Sequence, residues 1–449
     1  MSGIQSRRHP MVWVPTLYFA QGLPFAVVGI MAGFMYKKMG ISNEEITWWT
    51  SMMGFAWVFK PLWSPFLEMF RSQKSVVVAF QIIGGILLLL TASSLHLPGF
   101  FTFSVALLSL VAFASATHDI ASDGSYIANL DQHKQALYSG WLGAFWNGGK
   151  LFVQGGLVWL AGELEGRMGV SGAWTVAMAI PGVCLIALGL YHMWAMPKTV
   201  STHQTAASVG EVSRTLVDVI VTFFQKPGIW LAILFILLFR AGEGQVQSVG
   251  RLFLLDEKGI GGLGMTTSDV GIAYGTVATL AFIGGSIGGG WFAAKLGLKR
   301  ALFWLILAMN VPNLTFWYLS QFQPSNLMFI TSILSIEMFG YGFGFTGLIL
   351  YIMQVVAPGK YPTAHYALGT GIMQLGFVLF SMKSGAIQKW LGYHDFFIWC
   401  VVSAIPVLLL SRIVKIPDTL QPEASAEPAN QETVLVPPVK SQVAEETPA

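Results

Sequence analysis

The amino-acid sequence predicts an all-α membrane protein with twelve transmembrane helices, arranged as two six-helix repeats. Three observations support this prediction. Residues of the AVILMFWYC set make up 54% of the 449 residues and charged residues only 10%, against about 25% charged residues in a typical soluble domain. Apolar runs recur at lengths near the ~20 residues that cross ~30 Å of hydrocarbon. One long polar break divides these runs into two sets of six.

The twelve apolar runs are joined by short linkers. They lie at about 11–36, 46–67, 76–96, 100–125, 137–161, 174–195, 229–254, 267–292, 301–320, 327–356, 364–388 and 395–414. Glycine and proline within the runs, as in the Gly-rich segment 284–290, are tolerated where neighbouring helices pack closely. These runs predict a six-helix bundle at 1–196 and a second one at 228–416.

The break at 197–227 is predicted to be a cytoplasmic linker. Its residues 209–224 have the pattern of an amphipathic interfacial helix. A long central linker between two sets of six helices is typical of the major facilitator fold. After residue 416 the composition changes to prolines and acids without apolar periodicity, which predicts a disordered cytoplasmic tail at 417–449.

The positions of lysine and arginine predict the orientation. With the N-terminus inside, fourteen of these residues fall in cytoplasmic segments, and six fall in outer loops, among them Lys37, Lys38 and Arg251. The excess favours both termini in the cytoplasm.

No catalytic or metal site is predicted. Cys184 and Cys400 both lie inside apolar runs, where cysteine usually packs as a small polarizable side chain. We find no nucleophile–base arrangement and no metal-ligand spacing. The sequence therefore predicts neither an enzyme nor a bound cofactor.

Eight of the charged residues inside the apolar runs are candidates for function: Lys60, Asp119, Asp123, Lys150, Arg240, Glu243, Glu337 and Lys383. Each would cost roughly 3 kcal/mol if it faced lipid, so we expect these side chains to face a cavity or one another. Asp119 and Asp123 are four residues apart and share one helical face. Two neighbouring carboxylates hold a proton more readily than one. We assign proton coupling to Asp119, Asp123, Glu337 and Glu243.

The cations leave alternatives open. Arg240 and Glu243 are three residues apart and either pair as a structural bridge or act separately. Lys150 and Lys383 either meet an anionic substrate or neutralise nearby acids, and Glu337 is the expected partner of one of them. Lys383 lies near the outer end, where it can extend to the interface.

Four motifs resemble the AmpG family of muropeptide permeases. They are YFAQGLP at 18–24, KPLWSP at 60–65, ATHDIASDG at 116–124 and TAHYAL at 363–368. The resemblance implies proton-driven import of N-acetylglucosaminyl-anhydro-N-acetylmuramyl peptides across a bacterial inner membrane. The sequence departs from the family pattern at His118 and His365, where we expect glutamine, and has twelve spans where some members have fourteen.

A muropeptide site needs aromatic faces for sugar rings, amides for hydrogen bonds and a cation for carboxylates. The candidate substrate-binding residues are Tyr18, Gln21, Lys60, Trp141, Asn147, Lys150, Arg240, Gln245, His365 and Gln374. We expect a monomer whose partners are the substrate, protons and the lipid bilayer, without nucleic acid. The alternative is a major facilitator permease for another sugar or organic anion. A transporter-like receptor is less favoured, since the chain has no soluble effector domain.

Overall fold

The fold is helical, and the computed structural model describes residues 8–68, 72–197 and 209–416. Successive helices run antiparallel because short connections join them. The membrane-spanning helices are α1 (Pro10–Lys38), α2 (43–68), α3 (Gln73–Ser94), α4 (Phe100–Asn129), α5 (132–168), α6 (170–195), α7 (Ile229–Leu255), α8 (Thr267–Leu296), α9 (Leu298–Phe322), α10 (Leu327–Val356), α11 (362–391) and α12 (393–410). The predicted tail at 417–449 lies outside the described residues.

Two glycines divide long helical stretches into separate spans. Gly169, with φ of 72°, separates α5 from α6, and Gly392, with φ of 75°, separates α11 from α12. Glycine adopts positive φ without the steric cost that a side chain brings. Among the described residues, nine helices are long and apolar enough to cross a bilayer, and one of them, His133–Ala195, covers both α5 and α6. With α2 and the first part of α11, these helices make up the twelve predicted spans.

The spans form two bundles, α1–α6 and α7–α12. In the first bundle α3 packs against α4 and α6, and in the second bundle α10 packs against α8 and α9. Glycine permits the closest approaches, since a Cβ on Gly285 of α8 would lie 2.1 Å from the carbonyl oxygen of Phe339 on α10. The Gly-rich segment 284–290 therefore serves helix packing, as the sequence predicts.

The two bundles together have two ends along the membrane normal, which we name by the residues at each end. The terminal end carries Pro10, Gln73 and Ile229. The far end carries Lys37, Asp256 and Lys389.

One helix, Val209–Phe224, lies in the linker between the bundles, and we call it the linker helix. Its Asp218 carboxylate accepts hydrogen bonds from Lys360 Nζ and Tyr361 OH, each at 2.7 Å. These two bonds hold the pKa of Asp218 below its ordinary value, and the bond to Asp218 raises the pKa of Lys360. On the other face, Phe223 is buried against the second bundle. The linker helix is thus attached to the segment that begins α11.

Candidate functional site

A central cavity of about 120 Å³ lies between the two bundles. Helices α1, α2 and α5 form one wall, and α7, α8, α10 and α11 form the other. The lining side chains that bear on function are Phe25, Trp57, Lys150, Gln154, Arg240, Gln247, Arg251, Tyr274 and Gln374. Three predicted substrate-binding residues, Lys150, Arg240 and Gln374, are thus brought together at this cavity.

Arg240 is paired with an acid of its own helix. Its Nε lies 2.8 Å from Glu243 Oε2, at an angle unsuited to a hydrogen bond, and its Nη2 lies 3.4 Å from Glu243 Oε1. The guanidinium carbon also lies 4.8 Å from the ring centroid of Phe377. The pair that the spacing suggested is therefore present, and it balances the charge of Arg240 within α7.

Lys150 lines the cavity without forming an ion pair to any described carboxylate. Its ammonium lies 5.1 Å from the ring centroid of Phe282, which belongs to the other bundle. Asp119, one of the acids that Lys150 was expected to neutralise, is bonded to Lys60 instead. The geometry therefore favours the alternative in which Lys150 meets an anionic ligand.

The sequence assigns Arg251 to an outer loop, and this assignment is wrong. Arg251 lies inside α7 and lines the cavity. Its Nη1 donates to the carbonyl oxygen of Gly29 on α1 at 2.9 Å, and its Nε donates to the carbonyl oxygen of Gln247. The apolar run 229–254 contains residue 251, so the sequence already indicated that Arg251 lies within a membrane-spanning helix.

Aromatic and amide side chains complete the lining. Phe25 and Trp57 pack edge to face, with centroids 5.2 Å apart. Tyr274 OH donates to Gln247 Oε1 at 2.8 Å. Sequence reasoning missed Trp57, Gln154 and Gln247. Gln247 follows Glu243 by four residues and precedes Arg251 by four, so the polar stripe of α7 was readable from helical spacing.

Asp119 and Asp123 lie in a polar cluster of the first bundle, outside the cavity lining. Lys60 of α2 donates to Asp119, and Tyr18 OH of α1 donates to Asp123 Oδ1 at 2.9 Å. Gln21 approaches the same carboxylate of Asp123. Three predicted substrate residues, Tyr18, Gln21 and Lys60, are thus partners of the two acids in this structure.

Two further candidates lie on α5 away from the cavity. Trp141 is 41% exposed and packs against Phe145, with ring centroids 5.8 Å apart. Asn147 Nδ2 donates to the carbonyl oxygen of Gly143 in its own helix at 2.9 Å. A role of these two residues in substrate binding stays a prediction.

Gln245 and His365 hold helices together. Trp399 Nε1 of α12 donates to Gln245 Oε1 at 3.0 Å. His365 Nε2 lies 3.3 Å from Thr222 Oγ1, which belongs to the linker helix. Both side chains are buried, and neither lines the cavity, so their substrate roles also stay predictions.

Within the part of the chain that the structure describes, Glu337 of α10 has one neutral hydrogen-bond partner. Its Oε1 accepts a hydrogen bond from Gln247 Nε2 at 3.2 Å, and its Oε2 has no partner among those residues. The expected ion pair with Lys150 or Lys383 does not occur among the described residues. Lys383 instead lies 4.5 Å from the ring centroid of Trp48 near the far end. The pairing is expected from the succession of α10 and α11 in the chain, but the Lys383 ammonium contacts Trp48 on α2.

Polar contacts join the two bundles at the far end. Asp256, which follows α7, forms an ion pair with Lys37 Nζ at 2.5 Å and accepts a hydrogen bond from Asn43 Nδ2 at 3.3 Å. Lys389 Nζ lies 3.1 Å from Glu44 Oε2. The cavity is therefore closed at the far end in this structure.

Residues 16–382 match the sequence profile of the Major Facilitator Superfamily. The chain belongs to this superfamily. It is a multi-pass membrane transporter and not an enzyme, since the superfamily consists of permeases.

Relatives within the superfamily extend over most of the chain. The anhydromuropeptide permease of Escherichia coli (strain K12) is 28% identical over 413 residues, which cover 89% of this chain and 78% of that protein. The putative transporter AmpG 4 of Rickettsia felis (strain ATCC VR-1525 / URRWXCal2) is 23% identical over 407 residues, covering 88% of this chain and 94% of that protein. The resemblance to AmpG permeases that the four motifs indicated is confirmed.

Solved structures of other superfamily members share the fold. The nucleoside transporter NupG superposes with a TM-score of 0.68 at 17% identity, covering 89% of this chain and 97% of that one. A D-xylose-proton symporter superposes with a TM-score of 0.67 at 12% identity, covering 90% of this chain and 97% of that one. The predicted major facilitator fold is confirmed, and at these identities the likeness concerns the fold alone.

Proposed function

We propose that this transporter imports anionic amino-sugar compounds, above all N-acetylglucosaminyl-anhydro-N-acetylmuramyl peptides, together with protons. The cavity between the bundles carries the proposal, because it combines aromatic faces, amides and cations at one place. The likeness to an anhydromuropeptide permease over 89% of the chain supports the same substrate class.

Each part of the substrate has a matching group in the cavity. Sugar rings stack on aromatic faces such as those of Phe25 and Trp57. The side-chain amides of Gln154 and Gln374 suit hydroxyl and N-acetyl groups, which both donate and accept hydrogen bonds. Lys150 suits a peptide carboxylate, since it has no described acid as its ion-pair partner.

Transport requires the two bundles to separate. A cavity of about 120 Å³ is smaller than the roughly 300–1,000 Å³ of pockets that enclose small ligands. A disaccharide peptide therefore enters only after the far-end contacts, such as that between Lys37 and Asp256, have opened. In the proposed orientation the far end faces the periplasm of a bacterial inner membrane, and both termini face the cytoplasm. One chain forms the whole cavity, so a monomer suffices.

Two features support proton coupling. In the first bundle Lys60 forms an ion pair with Asp119, whereas Asp123 accepts a hydrogen bond from the neutral Tyr18 hydroxyl, so two carboxylates lie beside one ammonium. In the second bundle Glu337 lies buried beside a neutral amide. An ionised carboxylate in such surroundings costs several kcal/mol, so a proton is the natural counterion for these acids. Glu243 differs, because Arg240 already balances it.

Uptake by the full-length protein in proteoliposomes tests the proposal. Labelled anhydro-disaccharide tetrapeptide should accumulate against its gradient when the vesicle interior is made alkaline, and an uncoupler should abolish the accumulation. Empty vesicles and neutral N,N′-diacetylchitobiose are the controls. Accumulation of another sugar or organic anion without any muropeptide uptake would overturn the substrate assignment. Equal uptake with and without the gradient would overturn the coupling.

A further inference from the structure

We propose that Arg251 recognises a carboxylate of the transported solute, and that it does so by leaving the carbonyl of Gly29 to which it is bonded here. Arg251 would then both select anionic solutes and release a contact between the two bundles. The inference rests on the proposed transport of amino-sugar acids.

The contact between Arg251 and Gly29 crosses the cavity. Arg251 belongs to α7 of the second bundle, and its Nη1 donates to the Gly29 carbonyl oxygen of α1 in the first bundle. Gly29 lies in the π-helical turn Val27–Met31, and such turns occur frequently at functional sites. A Cβ on Gly29 would meet nothing within 4 Å. The Gly29 backbone therefore borders open space, where a ligand group can come close.

Among the described residues, no acid forms an ion pair with Arg251. Both of its hydrogen-bond acceptors are neutral carbonyl groups, and Glu243, the acid whose charge reaches Arg251, is already paired with another cation. Arg240, nearer the terminal end of the same helix, has Glu243 as its counterion. A carboxylate carries a full negative charge and can accept two parallel N–H···O bonds from a guanidinium, which a single carbonyl oxygen cannot offer. A solute carboxylate therefore competes effectively with the Gly29 carbonyl.

The position of Arg251 couples binding of the solute carboxylate to separation of the two bundles. Arg251 borders the central cavity and also a smaller space nearer the far end, lined by Gly33, Ile46 and Thr47 among others. Drawing its guanidinium onto a solute removes a bond between α1 and α7 at the boundary of these two spaces. A neutral solute of the same size gives no such exchange of partners.

Kinetics of uptake distinguish recognition from a structural role. The free anhydro-disaccharide carries one carboxylate, on its lactyl group, and its carboxamide carries none. We expect Arg251→Gln to raise KM for the acid by about tenfold or more, since hydrogen bonds to charged groups contribute ~1.5–3 kcal/mol. KM for the carboxamide should change much less, because it loses no bond to Arg251. Arg251→Lys should restore part of the preference, and Arg412→Gln, at the terminal end, should change neither KM. An equal rise for both solutes, or no rise for the acid, overturns the proposal.

Binding to the purified full-length protein separates this proposal from the proposed function. N-acetylmuramic acid should raise the unfolding temperature more than N-acetylglucosamine does, and Arg251→Gln should remove the difference. If this result holds although muropeptides are not taken up, the proposed function fails and the role of Arg251 stands. Equal stabilisation by the two sugars in the wild type overturns the role of Arg251.

Labelling of a cysteine tests the exchange of partners. Gly33→Cys suits this purpose, because a Cβ there makes only an ordinary contact, 3.8 Å from Ile46; the background is Cys184→Ala with Cys400→Ala. A membrane-impermeant maleimide should react faster when the acid is added, but not when the carboxamide is added. With Arg251→Gln the faster reaction should appear without solute. If Arg251→Gln does not change the labelling rate, the proposed exchange of the Gly29 carbonyl for the solute carboxylate is contradicted.

Discussion

The two bundles hold the acids inside their membrane-spanning helices in different ways. In the first bundle Asp119 and Asp123 lie one turn apart on one helix, where Lys60 donates to Asp119 and Tyr18 donates to Asp123. In the second bundle Glu243 and Glu337 lie on different helices, and only Glu243 has a cation. Each bundle thus keeps one acid without a cation of its own, although the surroundings differ.

This difference separates charges that hold the fold from charges that are available for transport. Glu243 forms a fully buried ion pair with Arg240. Protonation of Glu243 would therefore break a contact that holds the fold together. Glu337 has a neutral hydrogen-bond donor, Gln247, so gaining or losing a proton breaks no ion pair. The comparison therefore predicts large effects on stability at the paired acids and effects on transport at the unpaired ones.

The largest effect on stability is expected at Arg240. Arg240→Met leaves Glu243 buried without a counterion, which should lower the free energy of unfolding by about 3–5 kcal/mol. The double change Arg240→Met with Glu243→Met should recover most of this loss. Denaturant unfolding of the purified protein measures both, with Arg412→Met as the control for loss of an arginine. Losses that simply add would show that the pair does not act as a unit.

A smaller effect is expected at Lys60. Lys60→Met leaves two carboxylates together, but the side chains of Lys60 and Asp119 are 28% and 16% exposed, and water reduces the penalty. We expect a loss of roughly 1–3 kcal/mol, most of it recovered by adding Asp119→Asn. The same unfolding measurement applies. A loss as large as that of Arg240→Met would remove the distinction between the two bundles.

Glu337→Gln should hardly change stability. The glutamine amide keeps an acceptor for Gln247 Nε2, so the free energy of unfolding should change by less than about 1 kcal/mol. Glu243→Gln is the matched control and should be clearly worse, because it leaves Arg240 unpaired. If the two variants were equally destabilised, Glu337 would have to hold a cation that this structure does not bring near it.

The smallest effect is expected at the linker helix. The pKa of Asp218 is lowered by Lys360 and Tyr361, so the attachment is complete at neutral pH and is lost as pH falls through that lowered pKa. The protection factors of the backbone amides in residues 209–224, which correct for the intrinsic pH dependence of hydrogen exchange, should fall on acidification in the wild type. In Asp218→Asn the protection factors should already be reduced at neutral pH. Uptake at neutral pH should change by less than about twofold, since exposed ion pairs contribute little. Exchange that is the same in both proteins would contradict the attachment.

The sequence predicted the fold well and the site in part. Apolar runs identify spans because burial in lipid requires them, and the pair Arg240–Glu243 follows from helical spacing alone. Arg251 was misplaced because a count of charges near the ends of runs does not show which side of a helix faces the protein. Gln245 and His365 were predicted to bind substrate because polar groups inside a membrane are costly and are often functional. Only the packing of α12 and the linker helix against them reveals their partners.

The proposed coupling requires that acids without a cation of their own carry protons together with the solute. A pH electrode in a weakly buffered suspension of proteoliposomes measures this proton movement. Addition of anhydro-disaccharide tetrapeptide to wild-type vesicles should make the outside medium alkaline as solute enters. Asp123→Asn and Glu337→Gln should each diminish or abolish this pH change while solute exchange across the membrane continues. Solute entry without any pH change in the wild type, or an undiminished pH change in both variants, would contradict the account.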